Sequence, residues 1–535
     1  MATIPSLADE PGRLRFWGRG RAELFGREVD ESLRGVLRLS YARDPQGNYP
    51  PGFIHASPPQ QYWSGTCWPR DTGAFLRELV LWGYTAHACQ TANYLMDAVP
   101  SNAEGYHSFP EYLRGRSERS EFELAEQHTY HPPTDDELDG TGAVVIALVQ
   151  LWRRLTPNHP LRERIHAFLH NASSPLRHLH AQLQHSPLLI GRGEFGGGSG
   201  TEGFCSLVQN YLGALALEAC ARLEAAAGDG ATARHWHADA ERIRTGMLRY
   251  LVDDEGCWIW SVPPGTLRPD WELLNHPNLK GFGGLNAVAC MGADVLGLDP
   301  TAEAWEGQRV CRRTFERLFA HPPRRQQFDR YGLWTQVDGP VPGQGLYATP
   351  SYSGGYALQT MLLHDRLDLA ARLIDWLADA TYNAERWGTL FTTFGTGRVS
   401  PYYFYERYCS PDAVGALDML CGCGPLNLVN VAEPVKAARL LLGVDDTNAD
   451  RVRLLPRLPA GWQGLQAEEW PILTARGVVR ANLLYEQSAR GTTLQLRVRS
   501  GYCIPRLAVR LPTPQGHVWR QAEDVHTGEW RVGSD

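Results

Sequence analysis

The chain has 535 residues, of which 43% are hydrophobic and 21% charged, with a formal net charge of −7. Those proportions belong to a chain that buries a large core, which excludes a disordered protein, and the small negative charge offers neither nucleic acid nor an anionic membrane a complementary surface. Its 17 Trp, 21 Tyr and 16 Phe supply core, and also flat faces on which sugar C–H surfaces stack.

The N-terminal "MATIPSLADEPGRLRFWGRG" has no apolar segment of the signal-peptide kind, and no run approaches a membrane span. The expected address is the cytoplasm. From there to about residue 443 the apolar residues recur at helical spacing. In "DESLRGVLRLSY", Leu33, Val36, Leu37 and Tyr41 share one face, and similar stripes run through "GAFLRELVLWG", "GAVVIALVQLWRRL", "SLVQNYLGALALEACARL" and "PLNLVNVAEPVKAARLLLG". The pattern predicts about a dozen helices with no strand–helix alternation between them. Short connections such as "GYTAH" and "HDR" alternate with long ones rich in Trp, Tyr, Gly and acids, at 43–72, 99–141, 186–204, 256–284 and 384–412. Loops of that length inside a compact domain carry function. Helical hairpins with short turns at one end and elaborate loops at the other predict a mainly α toroid whose loop end holds the site. After Gly443, segments such as "GVVRANLLYEQ" and "TTLQLRVRSG" alternate apolar with polar residues and predict antiparallel strands. The expected division is a toroid over 1–447 and a small C-terminal β domain over 448–535, read as a cap on the toroid's flank, with a carbohydrate-binding module of its own as the alternative. Eleven cysteines, an odd number, and the "CGCG" spacing fit buried reduced thiols rather than disulfides or a zinc half-site.

No nucleotide fingerprint appears. "GRGEFGGGSGTEG" lacks the Lys-Ser/Thr of a phosphate loop, but it places Glu194 and Glu202 where glycine backbone can approach a ligand. A solvated surface loop would look similar. In "VSPYYFYERYCSPD", Glu406 sits among aromatics, including Tyr403 and Tyr405, where partial desolvation and fixed hydroxyls can tune a carboxyl group; an ordinary ion pair is the plain alternative. Two carboxylates on separate loops are what glycoside hydrolysis uses, one as proton donor to the leaving oxygen and one as acceptor from water. Around them, Arg70 and Asp71 in "YWSGTCWPRDTG" offer paired donors and acceptors for vicinal hydroxyls, and Glu137 and Asp139 add acceptors at another helix start. Tyr62, Trp63, Trp68, Trp387 and the Tyr402–Tyr405 cluster are the candidate stacking surfaces. None of this chemistry calls for a metal or a cofactor.

The stretch "GFIHASPPQQYWSGTCWPRDTGAFLRELVLWGY" resembles the opening of the glucoamylase-type six-hairpin glycosidases (family 15), and "ELDGTG" resembles their next sugar-site segment. "GSGTEGFCS" is similar to the acidic loop of the trehalase and processing-glucosidase families (37 and 63), with Glu in place of their Asp, and "YYFYERY" followed by "GPLNLVN" resembles the segment that carries their base. The motifs cover roughly residues 45–440 in the expected order. The resemblance implies an (α/α)6 toroid and an inverting mechanism with Glu202 as acid, Glu406 as base, and Arg70 and Asp71 on the terminal sugar. A glucoamylase-like alignment moves the acid role to Glu194. It further implies an exo-acting hydrolase that removes a terminal α-linked glucose, or mannose, from a small glycoside or oligosaccharide. A glycoside phosphorylase and a non-catalytic sugar-binding protein on the same toroid are the alternatives.

Overall fold

The computed structural model describes residues 9–41, 49–58, 63–115, 137–191, 203–268, 284–299, 306–334, 348–383, 401–405, 407–409, 426–513 and 516–533. Among them are helices α1 (Ala22–Tyr41), α2 (Pro69–Trp82), α3 (Thr85–Ala98), α4 (Leu138–Arg154), α5 (Pro160–His170), α6 (Pro175–Leu183), α7 (Leu207–Ala227) and α8 (Gly230–Tyr250). They continue with α9 (Gly284–Met291), α10 (Ala293–Leu296), α11 (Glu306–Ala320), α12 (Pro322–Tyr331), α13 (Ser351–Leu363), α14 (Leu367–Tyr382) and α15 (Leu428–Leu442).

Six of these form a closed inner ring: α2 packs on α4, α4 on α7, α7 on α9, α9 on α13, α13 on α15, and α15 back on α2. The ring follows from sequence. Every residue of α15, its charged Glu433, Lys436 and Arg439 included, and every residue of α4 from Leu138 to Trp152 is buried, so both helices lie inside. The outer helices are two-sided instead: α1 buries Phe25, Val29, Leu33 and Val36 and turns its arginines outward. Inner helix α2 turns tightly into outer α3 at Gly83, where φ of 89° lets its N–H reach back to the Val80 carbonyl while the Tyr84 N–H reaches Leu79. The sixth pair joins the chain's first helix, α1, to its last, α15.

Because each outer helix returns the chain, the six inner helices run parallel and their N-termini converge at the end where the long loops lie. Three short antiparallel ladders knit those loops in pairs: Thr66–Cys67 with Leu113–Arg114, Cys205–Ser206 with Ser261–Val262, and Ala348–Pro350 with Arg407–Cys409. Each ladder precedes or approaches an inner helix start, so it fixes where that helix begins.

The C-terminal region is two packed sheets. One orders Arg13–Gly18, Trp462–Thr474, Gly477–Ser488, Gly491–Val498 and Thr527–Gly533, all antiparallel; the other orders Gly516–Val525, Ile504–Thr513, Val452–Leu454 and Val444–Asp445. The N-terminal strand Arg13–Gly18 is thus the edge of a sheet otherwise made of the chain's last hundred residues. Salt bridges from Arg154 to Asp446 and from Arg510 to Asp365, with Trp82 edge-on to Trp470, hold these sheets against the toroid. Eight cysteines among the described residues are free and buried, and no described helix is long and apolar enough to cross a membrane.

Candidate active site

The inner helix starts bring together residues that the sequence spreads over seventy positions. Pro69 opens α2 with a preset φ, which puts Arg70 and Asp71 in its first turn. Glu137 and Asp139 occupy the same level of α4. Negative side chains there face the positive ends of the helix dipoles. The two starts approach closely because glycine lines the seam: a Cβ on Gly73 would lie 2.7 Å from the Ala143 carbonyl carbon, and one on Gly140 would lie 3.3 Å from the Arg70 nitrogen.

Within this seam Arg70 Nε donates to Asp71 Oδ1 at 3.0 Å, and Arg70 Nη1 lies 4.0 Å from Glu137 Oε2. All four polar residues are buried, Glu137 and Asp139 completely. One guanidinium therefore sits beside several carboxylates, an arrangement with both donors and acceptors in a space nearly closed to water, where each hydrogen bond counts for more than at a surface. Asp139 Oδ1 accepts the Gly140 N–H at 2.7 Å, which fixes that carboxylate at the helix start.

An aromatic wall stands against this cluster. Trp68 occupies the N-cap position of α2, and its indole Nε1 donates to Thr66 Oγ1 at 3.0 Å. Trp63 packs edge-on to Trp68 at 5.0 Å between centroids, and Tyr112 stacks with Trp68 at 5.8 Å and 28°. The Arg70 guanidinium lies 5.7 Å over the Trp68 ring. Tyr112 and its neighbour Glu111, both buried, were not singled out by the sequence; the acid-aromatic "PEYL" inside a long loop was the available signal. Beneath Trp68, burial pushes the Cys67 thiol up to about 12, which makes it packing rather than a nucleophile.

Deeper in the ring, Tyr356 of α13 lies within electrostatic reach of Arg70, Asp71 and Glu433, and burial holds its phenol well above the ordinary range. Gln359 donates to Glu433 Oε2 at 2.6 Å, and burial raises the Glu433 carboxyl against the pull of Lys436 and Arg77. Below them Asp294 receives Arg77 at 3.1 Å, Lys436 at 2.8 Å and Arg439 at 2.6 Å, while Arg439 also grips Glu78 at 2.8 Å. Despite burial, those three cations hold the Asp294 carboxyl far below its usual value. This layer, three cations and three carboxylates from α2, α10 and α15, closes the ring opposite the loops.

Trp63, Trp68, Arg70, Asp71, Glu137 and Asp139 are brought together as a set. Tyr405 is buried. Tyr403 is placed elsewhere: its hydroxyl accepts from Arg38 Nη2 of α1 at 2.9 Å, on the outer side of the ring. Tyr402 sits under Arg27 of the same helix at 3.7 Å, and Ser32 bonds the intervening backbone on both sides of Tyr403. Tyr62, Glu194, Glu202, Trp387 and Glu406 lie outside the described residues. Of the histidines in the 99–141 loop, His107 stacks on Phe168 of α5 and so packs on the outer layer.

Neither a family model nor a curated protein matches the chain. Solved structures do. The α-L-rhamnosidase from Dictyoglumus thermophilum aligns over 98% of this chain and 50% of its own, with a TM-score of 0.58 and 10% identity. The α-L-rhamnosidase from Aspergillus terreus aligns over 98% and 50%, with a TM-score of 0.55 and 12% identity. A glucoamylase from Saccharomycopsis fibuligera aligns over 82% of this chain and 98% of its own, with a TM-score of 0.51 and 13% identity. The chain spans about half the length of these rhamnosidases. The likeness is one of fold: a mainly α (α/α)6 toroid with a C-terminal antiparallel β region, as the sequence pattern and the six-hairpin resemblance predicted.

Proposed function

We propose that the chain is an exo-acting, inverting glycoside hydrolase that removes one terminal α-linked sugar from a small glycoside or oligosaccharide. The observation that carries this reading is the buried Arg70–Asp71–Glu137 cluster beside the Trp68–Tyr112 wall, set where adjacent inner helices begin. Alternating donors and acceptors beside an aromatic face match a ring that carries hydroxyls on its rim and C–H bonds on its faces. Toroids of this fold in the solved structures named above are glycosidases, which supports the same class here.

In this reading Arg70 and Asp71 grip the hydroxyls of the terminal sugar. Glu202 donates a proton to the glycosidic oxygen as its bond to the anomeric carbon breaks. Glu406 takes a proton from the water that attacks the opposite face, so the product has inverted configuration. The sequence resemblance favours glucose or mannose; the shared fold with rhamnosidases adds α-L-rhamnose. The test is a panel of aryl α- and β-glycosides of the three sugars with natural disaccharides, the first-released anomer being read by NMR. Hydrolysis of one α-glycoside with inversion is expected. No turnover on any member, or a product of retained configuration, overturns the reading.

A further inference from the structure

A second cluster of chemically able side chains lies on the outer wall, where the proposed hydrolysis does not use it. His166 and His170 stand one turn apart on α5, and Glu224 reaches them from the last turn of α7. His166 Nε2 is 3.2 Å from Glu224 Oε2, and His170 Nδ1 is 3.2 Å from Oε1. The two rings are 5.4 Å apart and nearly parallel, at 21°. The ligating atoms of the three residues all lie within 4.8 Å of one another. The Glu224 side chain is 1% exposed, whereas the imidazoles are 34% and 45% exposed. A buried carboxylate thus lies beneath two half-open rings.

We propose that His166, His170 and Glu224 form a binding site for a divalent cation of the zinc type. A tetrahedral centre with bonds of about 2.0–2.1 Å has ligand-to-ligand edges of about 3.3–3.4 Å; each imidazole here lies 3.2 Å from one Glu224 oxygen, His166 from Oε2 and His170 from Oε1, so small side-chain rotations bring the three ligands to those edges. Two imidazoles and a carboxylate are a borderline donor set, suited to Zn²⁺ rather than to calcium or copper(I). The exposed side of the rings leaves the fourth position to water. Asp229, which caps α8 nearby, interacts electrostatically with His170 and adds negative field. Cys220, one turn before Glu224, is buried and is not among the three residues whose ligating atoms lie together.

A comparable trio, His180, His235 and Asp239, serves as the internal contrast. There burial foremost, with the charges of His180 and Arg177, disfavours positive charge on His235 against the pull of Asp239, and the Arg177 guanidinium stacks over Trp236 at 5.0 Å. The Arg177 charge would also oppose a dication at that trio. Glu224 lies seventeen residues along α7 from Leu207, roughly 26 Å at helical rise, so the cation would staple an outer helix to an inner one far from the loop end. The inference does not rest on the glycosidase reading.

The experiment uses the full, untagged chain stripped with a chelator. Zn²⁺ is titrated calorimetrically, Co²⁺ binding is followed by visible absorption, and Tm is recorded with and without Zn²⁺. One equivalent should bind, raise Tm by linkage and give the strong visible bands of four-coordinate Co²⁺. His170→Ala and Glu224→Gln should each weaken binding by roughly 10–100-fold or more and abolish the Tm rise, while His180→Gln keeps both. Far-UV circular dichroism checks folding, and the isosteric Glu224→Gln keeps the test open should His170→Ala unfold. No saturable binding, unchanged binding in His166→Ala/His170→Ala, or loss of binding in His180→Gln alone would overturn the proposal.

Discussion

Arg70 and Glu137 meet across the first turns of two neighbouring inner helices, Nη1 4.0 Å from Oε2, with both side chains more than nine-tenths buried. They are 67 positions apart in sequence and come together only because the ring places α2 beside α4. Glu137 occupies the N-cap position of α4 in extended backbone yet makes no capping hydrogen bond, so its carboxylate serves the cluster instead of its helix. Arg70→Lys keeps the charge but loses the planar fork that can span two hydroxyls. On the proposed function it should lower kcat/KM by roughly ten- to a hundredfold, the worth of one or two charged hydrogen bonds, with Tm nearly unchanged. Parental kinetics would take Arg70 out of sugar binding.

The acid and base assignments are separable by kinetics. Glu202→Gln and Glu406→Gln should each reduce kcat by about 10²–10⁴-fold in chains that fold normally, and the parent should show a bell-shaped pH profile. An aryl substrate with an activated leaving group needs little protonation, so it should rescue the acid variant and not the base variant. Applied to Glu194→Gln, the same comparison decides between the two loop carboxylates: rescue there and full activity in Glu202→Gln would move the acid role to Glu194.

How far the sequence led depended on the range of the interaction. The inner helices were legible because an all-apolar helix can only be buried, as in "GAVVIALVQLWRRL" of α4. Arg70 and Asp71 were legible because a charged pair follows tryptophans at a helix start, and Glu137 and Asp139 because they stand as acceptors at another helix start. The edge strand Arg13–Gly18 was not, since six residues of weak alternation give no hint of a partner at Trp462–Thr474. Nor was the ion network of Arg77, Glu78, Asp294, Lys436 and Arg439. In sequence "GAFLRELVLWG" reads as plain core, with nothing to say that its Arg77 and Glu78 are buried too; only the closed ring supplies the opposite charges. Tyr403 misled for the related reason that an aromatic run does not state which member faces inward.

Gly73 and Gly354 make a matched pair for packing. In an open helix, Gly→Ala stabilises by about 1 kcal/mol. At Gly73 the added methyl would meet the α4 backbone at 2.7 Å, and backbone cannot yield as a flexible side chain can. Gly73→Ala should therefore destabilise by about 1–3 kcal/mol in urea unfolding and disturb the Arg70–Glu137 seam. At Gly354 of α13 nothing among the described residues lies within 4 Å, so Gly354→Ala should be neutral or stabilising. Equal effects at the two sites would mean that helix propensity, not close approach, sets the ring's spacing.

Glu28 of α1 is fully buried, and neither of its carboxylate oxygens has a hydrogen-bond partner among the described residues. Burial pushes its carboxyl well above 4.5, the charge of Asp379 pushes it the same way, and Arg21, which pairs with Asp379 at 2.8 Å, opposes them. With the folded value above the unfolded one, the folded chain retains a proton that the unfolded chain has released, so this residue weakens folding progressively as pH rises above 4.5. Below that value both states are protonated and the effect vanishes. Glu28→Gln is neutral at every pH. It should therefore match the parent near pH 4 and exceed it in stability at neutral pH, the gap growing by at most about 1.4 kcal/mol per pH unit. Urea unfolding at several pH values reads this directly. A difference that does not change with pH would mean that Glu28 finds a partner in solution and is not held as a neutral acid inside the helix layer.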